Sequence, residues 1–325
     1  MIKRELKETV KTEEVHCILC GSPNGIRAIE EGGYTGLKCL TCNLIYISPK
    51  PTYSHMLGRY VQDQASNPAE AIIGDDLSKR LLARHTLSLI QRCKRTGSLL
   101  EIGAGAGYFL DEARKKGFSV FGIEINKVEA EFIAESLGIP CERVPLSESS
   151  FGGRQFDIIY HCNVLSHLHD PVAEFRKIND HLQEGGFHIF ETGNLGDVES
   201  RYYRLFQGFE YPDHLFFFGE ESLKQLVRMT RFELIKIYDY SIVSQLLLSK
   251  MINFMSRFFS RSATSRSSAE SDEHHWNPHR QRTGLKRLGK VTRAYLFYLL
   301  TYRMKLLWRR KSHPKTLIVL AQKAR

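Results

Sequence analysis

With 325 residues, 42% of them hydrophobic and 25% charged, the chain can bury one large α/β core and carry a small extra module, the main core needing no staple. No apolar run reaches the roughly 18 residues of a spanning helix, and the opening MIKRELKETVKTEE carries no signal pattern, so a cytoplasmic protein is expected. The net charge of +10 is uneven. Residues 241–315 hold 16 Lys and Arg against 3 Asp and Glu, or +13, which leaves −3 for the remainder.

The seven cysteines form two groups. Cys17, Cys20, Cys39 and Cys42 make C-x2-C-x18-C-x2-C, while Cys93, Cys141 and Cys162 are scattered. Each knuckle can present two thiolates to one tetrahedral ion, and Gly32, Gly33 and Gly36 permit a hairpin that joins the knuckles. A zinc ribbon with a structural zinc follows, because four thiolates leave no open coordination position. Two disulfides conflict with the missing secretory signal, and a redox pair needs only one knuckle. His16 is read as a neighbour rather than a ligand. Between the knuckles Arg27 and Lys38 stand against Glu30 and Glu31, so the ribbon reads as a cap that positions a substrate entrance rather than as a nucleic-acid grip.

A link over 46–67, with Pro49, Pro51, Tyr53, Tyr60 and Asp63, leads to a predicted helix at about 75–94, and the domain boundary is placed near Pro68. The rest is organised around 98–126, SLLEIGAGAGYFLDEARKKGFSVFGIEIN. Leu99, Leu100 and Ile102 read as a buried strand, Gly103, Gly105 and Gly107 as a glycine loop, 108–116 as a helix, and 120–123 as a second strand ending on Glu124. An acid about 20 positions after such a loop is placed to meet a ribose. An adenosine-containing cofactor is therefore expected. A dinucleotide loop needs glycine at its sixth place to admit a pyrophosphate, and Tyr108 stands there. Glu101, two residues before the first glycine, would repel a pyrophosphate but attract the ammonium of a methionine moiety, which favours S-adenosylmethionine over NAD.

Residues 101–107 together with Glu124 resemble the first motif of the class I S-adenosylmethionine-dependent methyltransferases. The resemblance implies a Rossmann-like α/β fold with a seven-stranded sheet, its cofactor held by Glu101, Gly103, Ala104, Gly105, Gly107, Glu124 and Ile125. Later elements alternate accordingly: helix 127–136, strands 141–144 and 156–160, helix 171–182, and strand 187–191 after Gly185-Gly186. FDIIYHCNVLSHLHDP and GGFHIFETGN also resemble this family, so the likeness covers about 100 residues. Ligands of an open α/β sheet sit at the carboxyl ends of its strands, which puts His161 and Asn163 beside the cofactor and Asn194 on the substrate side. His167 and His169 are read as packing and capping around Asp170-Pro171. An acid that often follows the third strand of the family is absent from VPLSES, where only Glu148 is near. Asn163 and Ser166-His167 stand where the family often shows Asp and then Glu-His, so the side chains that hold the adenine are left open.

A helix from Gly219-Glu220-Glu221 to Thr230, favoured by acids in its first turn, and a sixth strand over 232–238 come next. Before that helix, Tyr211-Pro-Asp-His214 gathers a phenol, a carboxylate and an imidazole within four residues. With the cysteine module and the proline link, this stretch resembles the zinc-containing sugar C-methyltransferases of deoxysugar pathways and their shorter relatives in surface-polysaccharide clusters. A Tyr-x-Glu-His stretch supplies acid and base groups in that family; Tyr211 and His214 match it, Asp213 replaces the glutamate, and the family's second large C-terminal domain is not found in these 325 residues. A histidine, with a free pKa of about 6.5, is the natural base at neutral pH. His214 is therefore expected to be the base, with Asp213 and Tyr211 supporting it or binding a polar acceptor.

The stretch 316–323, TLIVLAQK, looks like the antiparallel seventh strand of the fold, which makes 241–315 a helical insertion between the last two strands. The expected division is a zinc ribbon and link at 1–67, a methyltransferase core at 68–240, the basic insertion at 241–315 and the final core strand at 316–325. IVSQLLLSKMINFMSRFF and VTRAYLFYLLTYRMKLLWRR read as helices with apolar faces and basic edges, and the Ser-, Arg- and His-rich stretch between them as mobile. A dimerising or substrate-covering helical pair, a membrane-surface anchor built on Trp308, Phe297, Lys305, Arg309, Arg310 and Lys311, and a nucleic-acid grip all fit parts of it. Peripheral contact at the inner face of a membrane ranks first and a helical lid second, while nucleic acid fits the charge but not the apolar content. The expected function is methyl transfer to a small or lipid-linked polar acceptor, a sugar or cell-surface glycan precursor first. An RNA-modifying enzyme and a non-catalytic scaffold stay open, as does a homo-oligomer.

Overall fold

The computed structural model describes residues 10–58, 76–149, 151–263, 284–303 and 312–324. Tyr60, Asp63 and the boundary near Pro68 lie outside these residues, as do Lys305, Trp308, Arg309, Arg310 and Lys311 and residues 264–283 of the stretch 260–284 expected to be mobile, whose two ends are helical instead.

The N-terminal part forms β1 (Thr12–Glu13), β2 (Gly25–Glu31), β3 (Tyr34–Cys39), β4 (Ile45–Ile47) and β5 (Lys50–Pro51), followed by a short helix at 53–58. Helix α1 (Asp76–Ile90) leads into β6 (Gly97–Ile102), α2 (Tyr108–Lys115), β7 (Phe118–Ile123) and α3 (Lys127–Glu131), which a π-helical turn, Phe132–Ser136, prolongs. Next come β8 (Cys141–Glu142), β9 (Phe156–Cys162), α4 (Pro171–Asp180), β10 (Leu182–Gly193), β11 (Phe216–Phe217), α5 (Glu220–Met229) and β12 (Phe232–Ser241). Helices α6 (Val243–Ala263) and α7 (Gly284–Tyr298) separate β12 from β13 (Lys315–Lys323).

Seven strands pair in the order β12-β13-β10-β9-β6-β7-β8, with β13 antiparallel to both neighbours and the others parallel. The central strands are covered on both faces, so their side chains divide by parity. Leu99, Ile158, Ile189 and Ile318 enter one core, and Leu100, Ile159, Phe190 and Val319 the other. Local signals set the helix starts: Asp170 accepts from the Val172 and Ala173 N–H groups ahead of Pro171, and Asn126 from Glu129 N. Chain direction switches between β6 and β9, because β7 and β8 extend one side of the sheet and β9 and β10 the other. An open α/β sheet binds its ligand at the carboxyl ends beside such a switch.

The cysteine-bearing hairpin is not a freestanding cap. Its sheet runs β11-β4-β3-β2, so two residues from far downstream, Phe216 and Phe217, pair with Tyr46 and Ile45. Cys17, Leu44, Tyr46 and Ile47 share one apolar cluster with Leu215, Phe218, Leu223 and Leu226.

Candidate functional site

A cavity of about 430 Å³ opens at the carboxyl ends of β6, β7 and β9. Ile102 and Gly103 form its floor, Glu124, Ile125 and Asn126 one wall, Val164, His167 and Leu168 the opposite wall, and Tyr53, Met56 and Leu57 of the 53–58 helix part of its rim. The glycine loop is shaped by two close approaches. A Cβ on Gly103, at φ +66°, would fall 2.6 Å from Val164 Cγ2, and one on Gly107, at φ +71°, 2.8 Å from Ile133 Cγ1.

Acid lines this cavity. Glu124 is buried and accepts from Gly105 N at 2.7 Å and Asn126 N at 2.8 Å, which leaves lone pairs for ligand hydroxyls. Burial raises its pKa, opposed by those backbone donors. Burial and the charge of Glu124 together push Glu129 up to about 7. Glu101 does not line the cavity: it is buried, takes the Leu110 N–H at the start of α2, and keeps Oε2 without a hydrogen-bond partner among the described residues. Burial first and Glu124 second hold its pKa well above the usual carboxylate range. The Lys79 ammonium opposes the shift at all three groups. A cluster of carboxylates short of positive charge is built to receive a cation.

The other expected cofactor residues divide. Gly103, Glu124 and Ile125 face the cavity, whereas Ala104, Gly105 and Gly107 build the loop behind it. Two expectations are corrected. The His161 ring is buried in the core, stacked on Phe190 at 5.2 Å and against Phe175 and His188, because its parity on β9 turns it toward α4. Asn163 is exposed at φ +56°, and the wall is made by Val164 instead. Asn194 is likewise no substrate group: its amide donates to the His313 carbonyl and accepts from Lys315 N, tying β10 to β13.

His167 and His169 both line the cavity while also packing. His169 sits between Lys50 and the Pro51 carbonyl, and Asp170 is the cap that was expected. Burial, then the His214 charge, lowers the pKa of His167 to about 4. Its ring meets that of His214 at 4.6 Å, which places His214 directly behind the cavity wall.

The 209–217 segment is held from two sides. Glu31 at the end of β2 accepts from Phe209 N and Tyr211 N, and Leu215 N donates to the Ser166 carbonyl. His214 Nδ1 donates to the Phe209 carbonyl at 3.0 Å, which leaves Nε2 facing the Glu210 carboxylate at 3.5 Å. The carboxylate beside the imidazole is thus Glu210, four residues earlier, rather than Asp213, whose carbonyl bonds His167. Tyr211 is corrected too. Its ring packs on Phe217 and against Gly36 of β3, where an added Cβ would fall 2.0 Å from the phenolic oxygen, and its pKa is raised by burial.

The four N-terminal cysteines converge, all sulfurs within 4.8 Å, with Cys17 to Cys42 at 3.3 Å and Cys20 to Cys39 at 3.5 Å. A disulfide needs about 2.05 Å, whereas four ligands about 2.3 Å from one zinc lie roughly 3.8 Å apart. Both knuckles repeat one turn, with Gly21 at φ 69° donating to the Cys17 carbonyl and Asn43 at φ 62° to that of Cys39. His16 is exposed and stands outside the cluster.

Residues 76–237 match a family described as a methyltransferase domain. Over 101 residues the chain is 32% identical to a ubiquinone biosynthesis O-methyltransferase of Ruegeria pomeroyi, covering 30% of this chain and 41% of that one. A counterpart from Paramagnetospirillum magneticum is 30% identical over 101 residues, again 30% of this chain and 41% of that one. The chain thus spans less than half the length of the curated relatives it matches. Among solved structures, Burkholderia thailandensis 1,6-didemethyltoxoflavin-N1-methyltransferase, with bound 1,6-didemethyltoxoflavin and S-adenosylhomocysteine, superposes at a TM-score of 0.50. It is 12% identical, covering 92% of this chain and 99% of that one. The sheet and its switch-point cavity define a Rossmann-like methyltransferase fold. Residues 76–237 thus carry a methyltransferase domain, with the class I S-adenosylmethionine-dependent methyltransferase fold.

Proposed function

We propose that the protein transfers a methyl group from S-adenosylmethionine to a small polar acceptor, a sugar or glycan precursor in the first instance, and that its four cysteines hold a structural zinc. The observation that carries the reading is the acidic cavity at the β6/β9 switch, lined by Glu124 and Glu129 with Glu101 buried behind it, three carboxyl groups against the single ammonium of Lys79 among the described residues. Gly103, Glu124 and Ile125 would hold the cofactor directly, with Glu101 supplying a buried negative charge from below the loop. When bound, the cofactor offers an electrophilic methyl carbon to an in-line nucleophile.

This chain's own residues then have two tasks. The apolar rim of Tyr53, Met56 and Leu57 excludes water from the displacement. His214 takes the acceptor's proton on Nε2, since Nδ1 carries the hydrogen given to the Phe209 carbonyl. Glu210 stabilises the imidazolium that results. Tyr211 has a packing role in this scheme, and Asp213 orients His167 through its carbonyl.

The relatives named as ubiquinone biosynthesis O-methyltransferases support a second reading, an oxygen acceptor on a more apolar molecule, which the rim also suits. Titration calorimetry with S-adenosylmethionine tests the core of the proposal. We expect binding by the full chain and a loss of about tenfold or more in Glu124→Gln, the weight of one charge-assisted contact of about 1.5–3 kcal/mol. Uptake of NADH with no heat from the sulfonium compound would overturn it. Labelled methyl transfer to nucleotide sugars, quinols and RNA then ranks the acceptors, and cofactor binding with no transfer to any of them would favour a scaffold.

A further inference from the structure

We propose that the outward faces of α6 and α7 form a docking surface for a lipid bilayer that carries anionic headgroups.

Each of the two helices has an inner and an outer face. Gln245 of α6 bonds Thr301 in the turn that prolongs α7, and Thr301 and Ala294 are buried against the body. Roughly half a turn away on each helix stand large apolar side chains in water. On α6 these are Leu247, Met251 at 55% exposure and Phe254 at 69%, at the i, i+4, i+7 spacing of one helical stripe. On α7 and its prolongation they are Tyr295, Leu296 and Leu299.

These six make up more than half of the large hydrophobic side chains exposed among the described residues. Scattered exposed leucines are ordinary, but a run of them on two adjoining helices marks a contact surface. A helix laid on a closed core would turn this stripe inward.

Charge decides the partner. The stripe belongs to the segment with a formal charge of +13, 16 cations against 3 anions, and Arg293 and Arg303 are exposed on α7 and its prolongation. The guanidinium of Arg293 lies over the Phe297 ring and that of Arg303 over Tyr298. A second copy would bring the same positive charge against this one. Nucleic acid would satisfy the cations but leave the stripe in water. A bilayer with anionic lipids satisfies both, apolar side chains entering the acyl boundary and cations staying among the headgroups. No helix of the described residues is long and apolar enough to cross a membrane, so the contact is interfacial.

Flotation of the full chain with vesicles of phosphatidylcholine, with and without phosphatidylglycerol, tests the proposal. We expect flotation with the anionic vesicles, weakened by salt, and roughly tenfold or more weaker partition in Met251→Glu/Phe254→Glu/Leu296→Glu. Phe254→Ser, a milder change that guards against misfolding, should show a partial loss with an unchanged melting curve. Failure of the unmodified protein to float, or equal flotation of all three forms, would overturn the assignment. So would a dimer in light scattering that the triple variant splits without any flotation of the parent, since a second copy would then cover the stripe.

Discussion

The cysteine cluster and the acidic cavity both gather anionic or anion-forming groups that the chain does not neutralise itself, yet the two are built for different guests. The cluster is closed, with four sulfurs facing one another inside a sheet whose core borrows Phe216 and Leu215 from downstream. The cavity is open, and its carboxylates are spread over a wall so that a cation can enter and leave. One arrangement suits a permanent ion and the other a consumable one. The 209–217 segment joins them, since Glu31 of the small sheet grips its backbone while His214 stands behind the cavity wall.

The largest effect is expected at the closed site. A small sheet held by a metal loses its folding energy with the ligand set, and Cys39→Ser should destabilise the N-terminal module by at least ~3 kcal/mol. Thermal unfolding should show an early transition, reproduced in the unmodified protein by a chelator and reversed by added zinc. Because β11 is a strand of that sheet, methyl transfer should fall with it. A single late transition that chelators do not move would break the distinction between permanent and exchangeable guests.

How much of this was legible in the chain depends on how local each signal is. The seven strands could be read because strands covered on both faces are nearly continuous in Leu, Ile and Phe, and the glycine loop because three positive-φ positions need glycine within five residues. The cysteine knuckles are legible for the same reason. Strand β11 was not, since two residues that pair across some 170 positions leave no periodicity. His161 was misplaced because proximity to a strand's carboxyl end says nothing of which face a residue takes. Glu210 was missed in favour of Asp213 because adjacency in sequence is a poor guide in a tight turn. Both Asp213 N and His214 N donate to the Glu210 carbonyl, and that turn swings the Glu210 side chain to the imidazole. The apolar rim of Tyr53, Met56 and Leu57 carries no motif at all.

On the exchangeable side, His214→Ala should lower kcat by about 100-fold, the lower end for a lost general base, while leaving cofactor heat and melting temperature nearly unchanged. Turnover near the normal rate would move the base role to His167 on the cavity wall. Glu210→Gln should give a smaller loss in kcat than His214→Ala, because the imidazolium formed on proton uptake loses the carboxylate that faces it at 3.5 Å. An unchanged kcat would return the supporting role to Asp213.

The cavity also predicts a pH dependence. Glu129 rises from the ordinary 4.5 to about 7 and Glu101 and Glu124 rise as well, so the folded state holds these protons more tightly than the unfolded chain. Their contribution to stability is therefore full below about pH 4.5 and is lost as pH climbs toward the raised values. A bound cation favours the ionised carboxylates and reverses the trend. The cofactor-induced rise in melting temperature should grow between pH 5.5 and 8, with affinity gaining at most about tenfold per pH unit for each proton released. Glu129→Gln should flatten the curve. A flat response in the unmodified protein would remove the cation-binding role from these carboxylates.

The smallest effect is expected where the two regions touch. Tyr211 sits in the stretch that carries His214, yet its hydroxyl finds no hydrogen-bond partner among the described residues and its ring fills the space left by Gly36. Removing a buried hydroxyl that bonds nothing is close to neutral or slightly stabilising, so Tyr211→Phe should leave kcat within about twofold and the melting temperature equal or higher. Gly36→Ala attacks the same contact from the other side, and overpacking there should cost about 1–3 kcal/mol. If the phenol instead works on the acceptor, the order inverts: Tyr211→Phe would lower kcat with no change in stability, and the segment would belong wholly to the cavity rather than being shared between the two sheets.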